Sequence, residues 1–153
     1  MNVNYLGIDY GSKRIGISIY HGDVKIVLPM KAIVAEHDYE KTEKICKIVK
    51  ENRIGEIVIG YPVNMDGTLG DKAKQVDRFI KNLSNKLPNG IKINRIDERL
   101  TSEQAANEQK SFYVKQSATR TRKQRNLGIV DSRTATIILQ DFLREMELKN
   151  SGR

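Results

Sequence analysis

The chain has 153 residues, 39% of them hydrophobic and 30% charged, which is typical of one globular domain, and no apolar run is long enough to span a membrane. The first residues lack the regions of a signal peptide, and the single cysteine, Cys46, excludes an intrachain disulfide and a multi-cysteine zinc site, so a soluble cytoplasmic protein is predicted. A net charge of +8 favours a polyanionic partner.

Three strands are predicted at the start of the chain, over residues 4–9, 14–20 and 24–34. The turns between them are short, so consecutive strands are expected to be antiparallel neighbours. A helix is predicted next, with Asp38 as its N-cap and apolar residues at helical spacing as far as Val49.

Strands and helices alternate in the following part of the chain. A short buried strand over 56–62 precedes an amphipathic helix over 69–87, and a fifth strand follows over 91–98. Thr101 and Gln104 then fit a capping box, which predicts a short helix.

The last helix is predicted to begin at Asp131. The order of elements predicts an α/β fold, a mixed five-stranded sheet with an antiparallel meander of β1 to β3 and with helices on both faces. We expect a single domain over 1–147 and a short C-terminal tail over 148–153.

Much of the excess positive charge lies in one segment between Gln109 and Val130. The segment contains no acidic residue, and its six cations are Lys110, Lys115, Arg120, Arg122, Lys123 and Arg125. A local excess of this kind is typical of contact with a nucleic-acid backbone, although it also fits a solvated loop.

Three carboxylates stand at the ends of predicted elements. Asp9 ends the first strand on the same face as Gly7, Glu98 ends the fifth strand, and Asp131 heads a helix whose apolar stripe must pack on the sheet. Clustered carboxylates repel one another unless cations lie between them, and two Mg²⁺ ions about 3.5–4 Å apart would activate water for in-line phosphodiester cleavage.

Each acid also has an ordinary structural explanation. Asp9 fits a turn residue, Glu98 fits a surface ion pair with Arg99, and Asp131 fits a helix cap. The position of all three at element ends favours a common site, but the residues alone leave both explanations open.

Four motifs together resemble those of one family. They are "GIDYGSKRIGIS", "IVIGYPVNMDGTLG", "DERLTS" and "VDSRTATIILQDFL", in this order and spacing. The set resembles the YqgF/RuvX family of Holliday-junction resolvases and proposed pre-16S rRNA nucleases, in the RNase H-like superfamily. The resemblance covers nearly the whole chain. Asp71 and Lys72 depart from it, at positions where a proline and an arginine are expected.

The resemblance implies an RNase H-like fold and a metal-dependent nuclease. It implies that Asp9, Glu98 and Asp131 form a catalytic triad that holds two Mg²⁺ or Mn²⁺ ions, and that the substrate is pre-rRNA or branched DNA. The candidate contacts to nucleic acid are Arg14, Asn64, Arg99, Arg120, Arg122, Lys123 and Arg125.

Two other functions stay open on the sequence alone. One is a non-catalytic RNA-binding or ribosome-assembly protein on the same fold. The other is an ATP-binding domain like those of actin and sugar kinases, because "DYGS" resembles their phosphate turn, although such proteins need two such domains. The motifs also leave open RNA or DNA as substrate, internal or terminal cleavage, any supporting role of Asp97, and a monomer or a homodimer.

Overall fold

The computed structural model describes residues 2–98 and 132–152. Within them, five strands form one sheet in the order β3-β2-β1-β4-β5. The sequence predicted the mixed five-stranded sheet and its antiparallel meander but not this order. The elements are β1 (Asn4–Asp9), β2 (Arg14–His21), β3 (Ile26–Val34), α1 (Asp38–Glu51), β4 (Ile54–Tyr61), α2 (Asp71–Lys86), β5 (Lys92–Asp97) and α3 (Arg133–Ser151). The predicted short helix after Thr101 and the basic segment lie outside these ranges.

The connections decide the directions of the strands. The short turns make β1, β2 and β3 an antiparallel meander, whereas the crossovers through α1 and α2 make β4 and β5 parallel to β1. The C-terminal ends of β1, β4 and β5 therefore lie at one edge of the sheet, which we call the C-terminal edge.

The two faces of the sheet bury different helices. Leu6 and Ile8 of β1 lie in a core with residues of α1 and α2, while Tyr5 and Val58 lie in a second core with α3. This alternation follows from the two-residue period of a strand. Helices cover both faces, as the sequence predicted.

Two buried hydroxyls attach α3 to the sheet. Ser132 Oγ accepts the Ile17 N–H at 3.0 Å and donates to the Met30 carbonyl at 2.6 Å, at an irregularity in the β2–β3 pairing. Ser18 Oγ donates to the Ala135 carbonyl at 2.7 Å. The helix extends to Ser151, into residues 148–153, which the sequence predicted as a tail.

The predicted N-cap of α1 is wrong by one residue. His37 takes the N-cap position without a side-chain cap, and Asp38 is the first helical residue. The Asp38 carboxylate instead accepts the Tyr10 hydroxyl at 3.2 Å and the Lys41 ammonium at 3.3 Å. The carboxylate therefore bonds one neighbour on its own helix and one distant residue, and makes no cap.

The edge strand β3 exposes several apolar side chains, among them Ile26, Leu28 and Met30. Pro29 lies among them and has no N–H for pairing, which is why proline is confined to edge strands and protects them.

Among the described residues, no helix combines the length and apolar character needed to span a membrane.

Candidate active site

Asp9 and Glu98 meet at the C-terminal edge of the sheet. Asp9 is the last residue of β1, and Glu98 directly follows β5. Their carboxyl groups are hydrogen-bonded to each other although β4 lies between their strands. The structure therefore brings together two of the three acids that the motifs single out.

Gly60 on β4 makes this meeting possible. It is paired with Ile96 of β5 and follows Ile59, which is paired with Ile8 of β1. A Cβ atom on Gly60 would lie 2.5 Å from Glu98 Oε1 and 2.6 Å from Ile138 Cδ1. The missing side chain leaves the space in which carboxyls from the two flanking strands can touch.

Burial sets the charge state of the pair. It is the main cause that raises the pKa of both carboxyls, and with the Asp9 charge it brings the Glu98 pKa from 4.5 to about 7. The hydrogen bond between them lowers the pKa of Asp9 and raises that of Glu98. The metal-free pair therefore keeps a proton to a higher pH than two separate carboxyls would.

Within the described part of the chain, Lys72 is a cation that acts on this pair. It lies in the first turn of α2, and its charge lowers the pKa of both Asp9 and Glu98. The sequence pointed to Lys72 only as a departure from the family pattern. Lys72 acts on the two acids because α2, which follows β4, begins at the C-terminal edge. That placement depends on the fold and is not visible in the sequence.

The raised pKa values predict that stability depends on pH in the absence of metal. In the unfolded chain Glu98 loses its proton near its ordinary pKa of 4.5, whereas in the folded protein its pKa is about 7. Between these two pH values the folded state therefore binds more protons than the unfolded state. The stabilisation is thus fully present below pH 4.5 and is lost as pH rises through 7. We expect urea unfolding in EDTA to show a smaller free energy at pH 8 than at pH 5.

The Glu98→Gln variant is the control for this pH dependence, because its amide stays neutral at every pH. We expect the variant to lose less stability than the parent between pH 5 and pH 8. Equal losses in the two proteins would show that other groups cause the pH dependence.

The third predicted acid, Asp131, lies outside the described residues, so its place in a triad remains a prediction. Within residues 2–98 and 132–152, no three His, Cys, Asp or Glu side chains form a group that could hold a metal. The following residue, Ser132, bonds Ile17, the neighbour of the Gly16 that pairs with Asp9.

Arg14 and Asn64 are the two described candidates for nucleic-acid contact. Arg14 is exposed at the start of β2, and alternation places it on the Asp9 face. Asn64 belongs to an exposed loop before α2, where its N–H donates to the Thr68 carbonyl and its carbonyl accepts the Gly67 N–H. The backbone groups of Asn64 therefore form hydrogen bonds within this loop.

The other five candidates for nucleic-acid contact lie outside the described residues: Arg99, Arg120, Arg122, Lys123 and Arg125.

Asp97 lies within the described residues, directly after Ile96, whose side chain packs with residues of α3. Alternation therefore directs Asp97 to the opposite face of the sheet, the face of α2. Its charge nevertheless raises the pKa of Glu98.

Comparison with known proteins identifies close sequence relatives. The family model described as "RuvX: Holliday junction resolvase" matches residues 3–145. A protein of Opitutus terrae named "Putative pre-16S rRNA nuclease" is 37% identical over 90% of this chain and 89% of its own length. One of Crocosphaera subtropica with the same name is 38% identical over 92% of each chain.

Solved structures share the fold at much lower identity. T. thermophilus RuvC in complex with a Holliday junction substrate has a TM-score of 0.57 and 10% identity, over 95% of this chain and 96% of that chain. The fowlpox virus Holliday junction resolvase has a TM-score of 0.53 and 8% identity, over 94% and 99%. The predicted RNase H-like fold and nuclease class are confirmed, and the chain belongs to the RuvX family.

Proposed function

We propose that Asp9 and Glu98 form the catalytic centre of a metal-dependent nuclease that hydrolyses phosphodiester bonds in structured nucleic acid. The observation that carries this proposal is the contact between the two carboxyls above Gly60. A buried pair of acids that share a proton is a common feature of catalytic sites. The names of the relatives support a nucleic-acid substrate.

The two carboxyls suit a divalent metal, as membership of this nuclease family implies. Mg²⁺ prefers oxygen ligands and is often bound by one or two carboxylates together with waters and substrate phosphates. We propose Mg²⁺ or Mn²⁺, held by Asp9 and Glu98 and by Asp131 as the third ligand. A bound pair of such ions supplies an activated water and charge stabilisation at the phosphate.

The chain's own residues control when the site is ready for metal. Glu98 must release the proton that it shares with Asp9 before both carboxylates can bind a cation. Lys72 favours this ionised state, because its charge lowers the pKa of both acids. Burial has the opposite effect, so the pair remains partly protonated near neutral pH until a cation arrives.

We further propose that the cations between Gln109 and Val130 bind the phosphate backbone of the substrate. If three of them neutralise duplex phosphates, the segment contributes about −3 to the slope of log K against log salt. Replacing Arg120, Arg122, Lys123 and Arg125 by Gln should therefore flatten the salt dependence of duplex binding.

A control with the same loss of charge replaces four exposed lysines of α1 and α2 by Gln, at Lys47, Lys50, Lys74 and Lys81. We expect this variant to keep a slope close to that of the parent. Equal slopes in the parent and in the variant of the basic segment would show that the segment makes no phosphate contacts.

The substrates we propose are the 5′ end of pre-16S rRNA, a four-way DNA junction, or both. The decisive experiment measures cleavage of each, with labelled ends, in EDTA, Mg²⁺ and Mn²⁺. Metal-dependent cleavage of either supports the proposal. Metal-independent binding without cleavage would instead favour an RNA-binding protein, and ATP binding without cleavage would favour an ATP-binding domain.

The labelled products also distinguish internal from terminal cleavage. Sedimentation of the free protein and of its junction complex tests whether one or two copies act, because symmetric cleavage of two strands suits a homodimer. Cytoplasmic location likewise remains our prediction.

A further inference from the structure

Lys41 is a buried lysine in the first turn of α1, outside the carboxylate pair, and only 2% of its surface is exposed. Its ammonium donates to the Ser12 carbonyl at 2.6 Å and to Asp38 Oδ1 at 3.3 Å. The same ammonium lies 5.1 Å from the centroid of the Tyr10 ring. These contacts fix the turn over residues 10–13, which joins β1 to β2.

This turn directly follows Asp9. The last register pair between β1 and β2 at this end joins Asp9 to Gly16, so beyond Asp9 the chain has left the sheet. Tyr10 comes next, and its hydroxyl donates to Asp38 Oδ1 at 3.2 Å while its ring packs on Phe79, with centroids 4.7 Å apart. Lys41 and Tyr10 thus share one oxygen of Asp38.

Stability alone does not require a lysine at this position. Burying a charged group costs several kcal/mol, and apolar replacements of buried ion pairs are often neutral or stabilising. A methionine of similar length could fill the space, but it would leave the Ser12 carbonyl without the ammonium donor. The specific contribution of Lys41 is therefore geometric, because it fixes the backbone that follows Asp9.

We infer that Lys41 is a positioning residue, which holds the turn over 10–13 so that the Asp9 carboxyl stays directed at Glu98. Its catalytic consequence rests on the function proposed above. Lys41 acts through Ser12, Asp38 and the Tyr10 ring and does not itself reach the reacting atoms. Groups that orient metal ligands in this indirect way typically contribute 10–100-fold to metal affinity or activity.

The test compares Lys41→Met with Lys44→Met. Lys44 is a matched control, because it lies on the same helix and its ammonium also donates to a backbone carbonyl, that of Val34 at 3.1 Å, but it is exposed. Three quantities are measured: amide hydrogen exchange without metal, the Kd for Mn²⁺ alone by calorimetry, and kcat and KM for cleavage.

For Lys41→Met we expect exchange at the Ala35 amide, which donates to the Lys13 carbonyl of this turn at 3.2 Å, to be at least about 10-fold faster, while buried amides of α3 exchange as in the parent. We expect the Kd for Mn²⁺ to increase by about 10-fold or more and kcat to fall with little change in KM. Lys44→Met should match the parent in all of these measurements.

Parent-like exchange at the Ala35 amide, or a parent-like Kd for Mn²⁺ in a variant that has lost only thermal stability, would overturn the inference. If Lys41→Met does not fold, Asp38→Ala decides in the same way, because it removes the oxygen that accepts from both Lys41 and Tyr10. If the parent shows no Mn²⁺ binding that depends on Asp9, the proposed function fails, and the exchange measurement alone decides whether Lys41 positions the turn.

Discussion

Asp9→Asn and Glu98→Gln are each expected to reduce metal-dependent cleavage by roughly 1,000-fold or more, because catalytic groups that act as a unit lose most of their effect when one is removed. Either variant leaves a single carboxyl of the touching pair. An amide keeps the size of the side chain but is a weaker ligand for a hard cation. The measurement is the single-turnover rate on the substrate that the parent cleaves.

Binding of nucleic acid should survive in both variants. Asp9→Asn removes negative charge near the expected position of the phosphate, whereas Glu98→Gln replaces a carboxyl that is partly protonated near neutral pH without metal. The Kd measured in EDTA should therefore be slightly lower in Asp9→Asn and unchanged or slightly lower in Glu98→Gln. The matched control is Asp97→Asn, which removes a neighbouring charge on the opposite face of β5. Its effect on rate should be small. Full activity in Asp9→Asn or Glu98→Gln would exclude that residue from the mechanism.

The positions of both acids could be predicted because strand period and chain order are properties of the sequence. Alternation placed Asp9 on the face of Gly7, and the structure packs Gly7 against Ala135 and Leu139 of α3. The meeting of Asp9 with Glu98 could be expected only because both end strands. Parallel strands placed by helical crossovers bring such ends to one edge.

Gly60 and Lys41 could not be predicted in the same way, because their roles depend on contacts between distant parts of the chain. Gly60 in "IVIGYP" has the sequence context of an ordinary buried strand, and Lys41 that of an exposed lysine on an amphipathic helix. The wrong prediction of Asp38 as a cap has the same origin, because its partner Tyr10 lies 28 positions away in the sequence. Only the packed structure reveals such pairs.

Gly60→Ala is expected to damage both stability and catalysis, for separable reasons. The new methyl group would lie 2.6 Å from Ile138 Cδ1, which belongs to a fully buried side chain, so the core must shift at a cost of about 1–3 kcal/mol. It would also lie 2.5 Å from Glu98 Oε1, so the carboxyl must move away from Asp9. A displacement of about 1 Å can lower a rate by about 100-fold.

A second substitution separates the two effects. Ile138→Val removes the atom that the new methyl group would meet in the core but leaves the collision with Glu98. We therefore expect Gly60→Ala with Ile138→Val to regain part of the stability of Gly60→Ala while its cleavage rate stays about 100-fold below that of the parent.

The pH dependence of stability provides an independent measurement on the same variants. If the methyl group separates the carboxyls, Glu98 loses the neighbouring Asp9 charge and hydrogen bond that help to raise its pKa. The loss of stability from pH 5 to pH 8 in EDTA should then be smaller in Gly60→Ala than in the parent. Parent-like cleavage and pH dependence in Gly60→Ala would show that the two acids do not need the space above Gly60, and that the contact between them is not the catalytic arrangement.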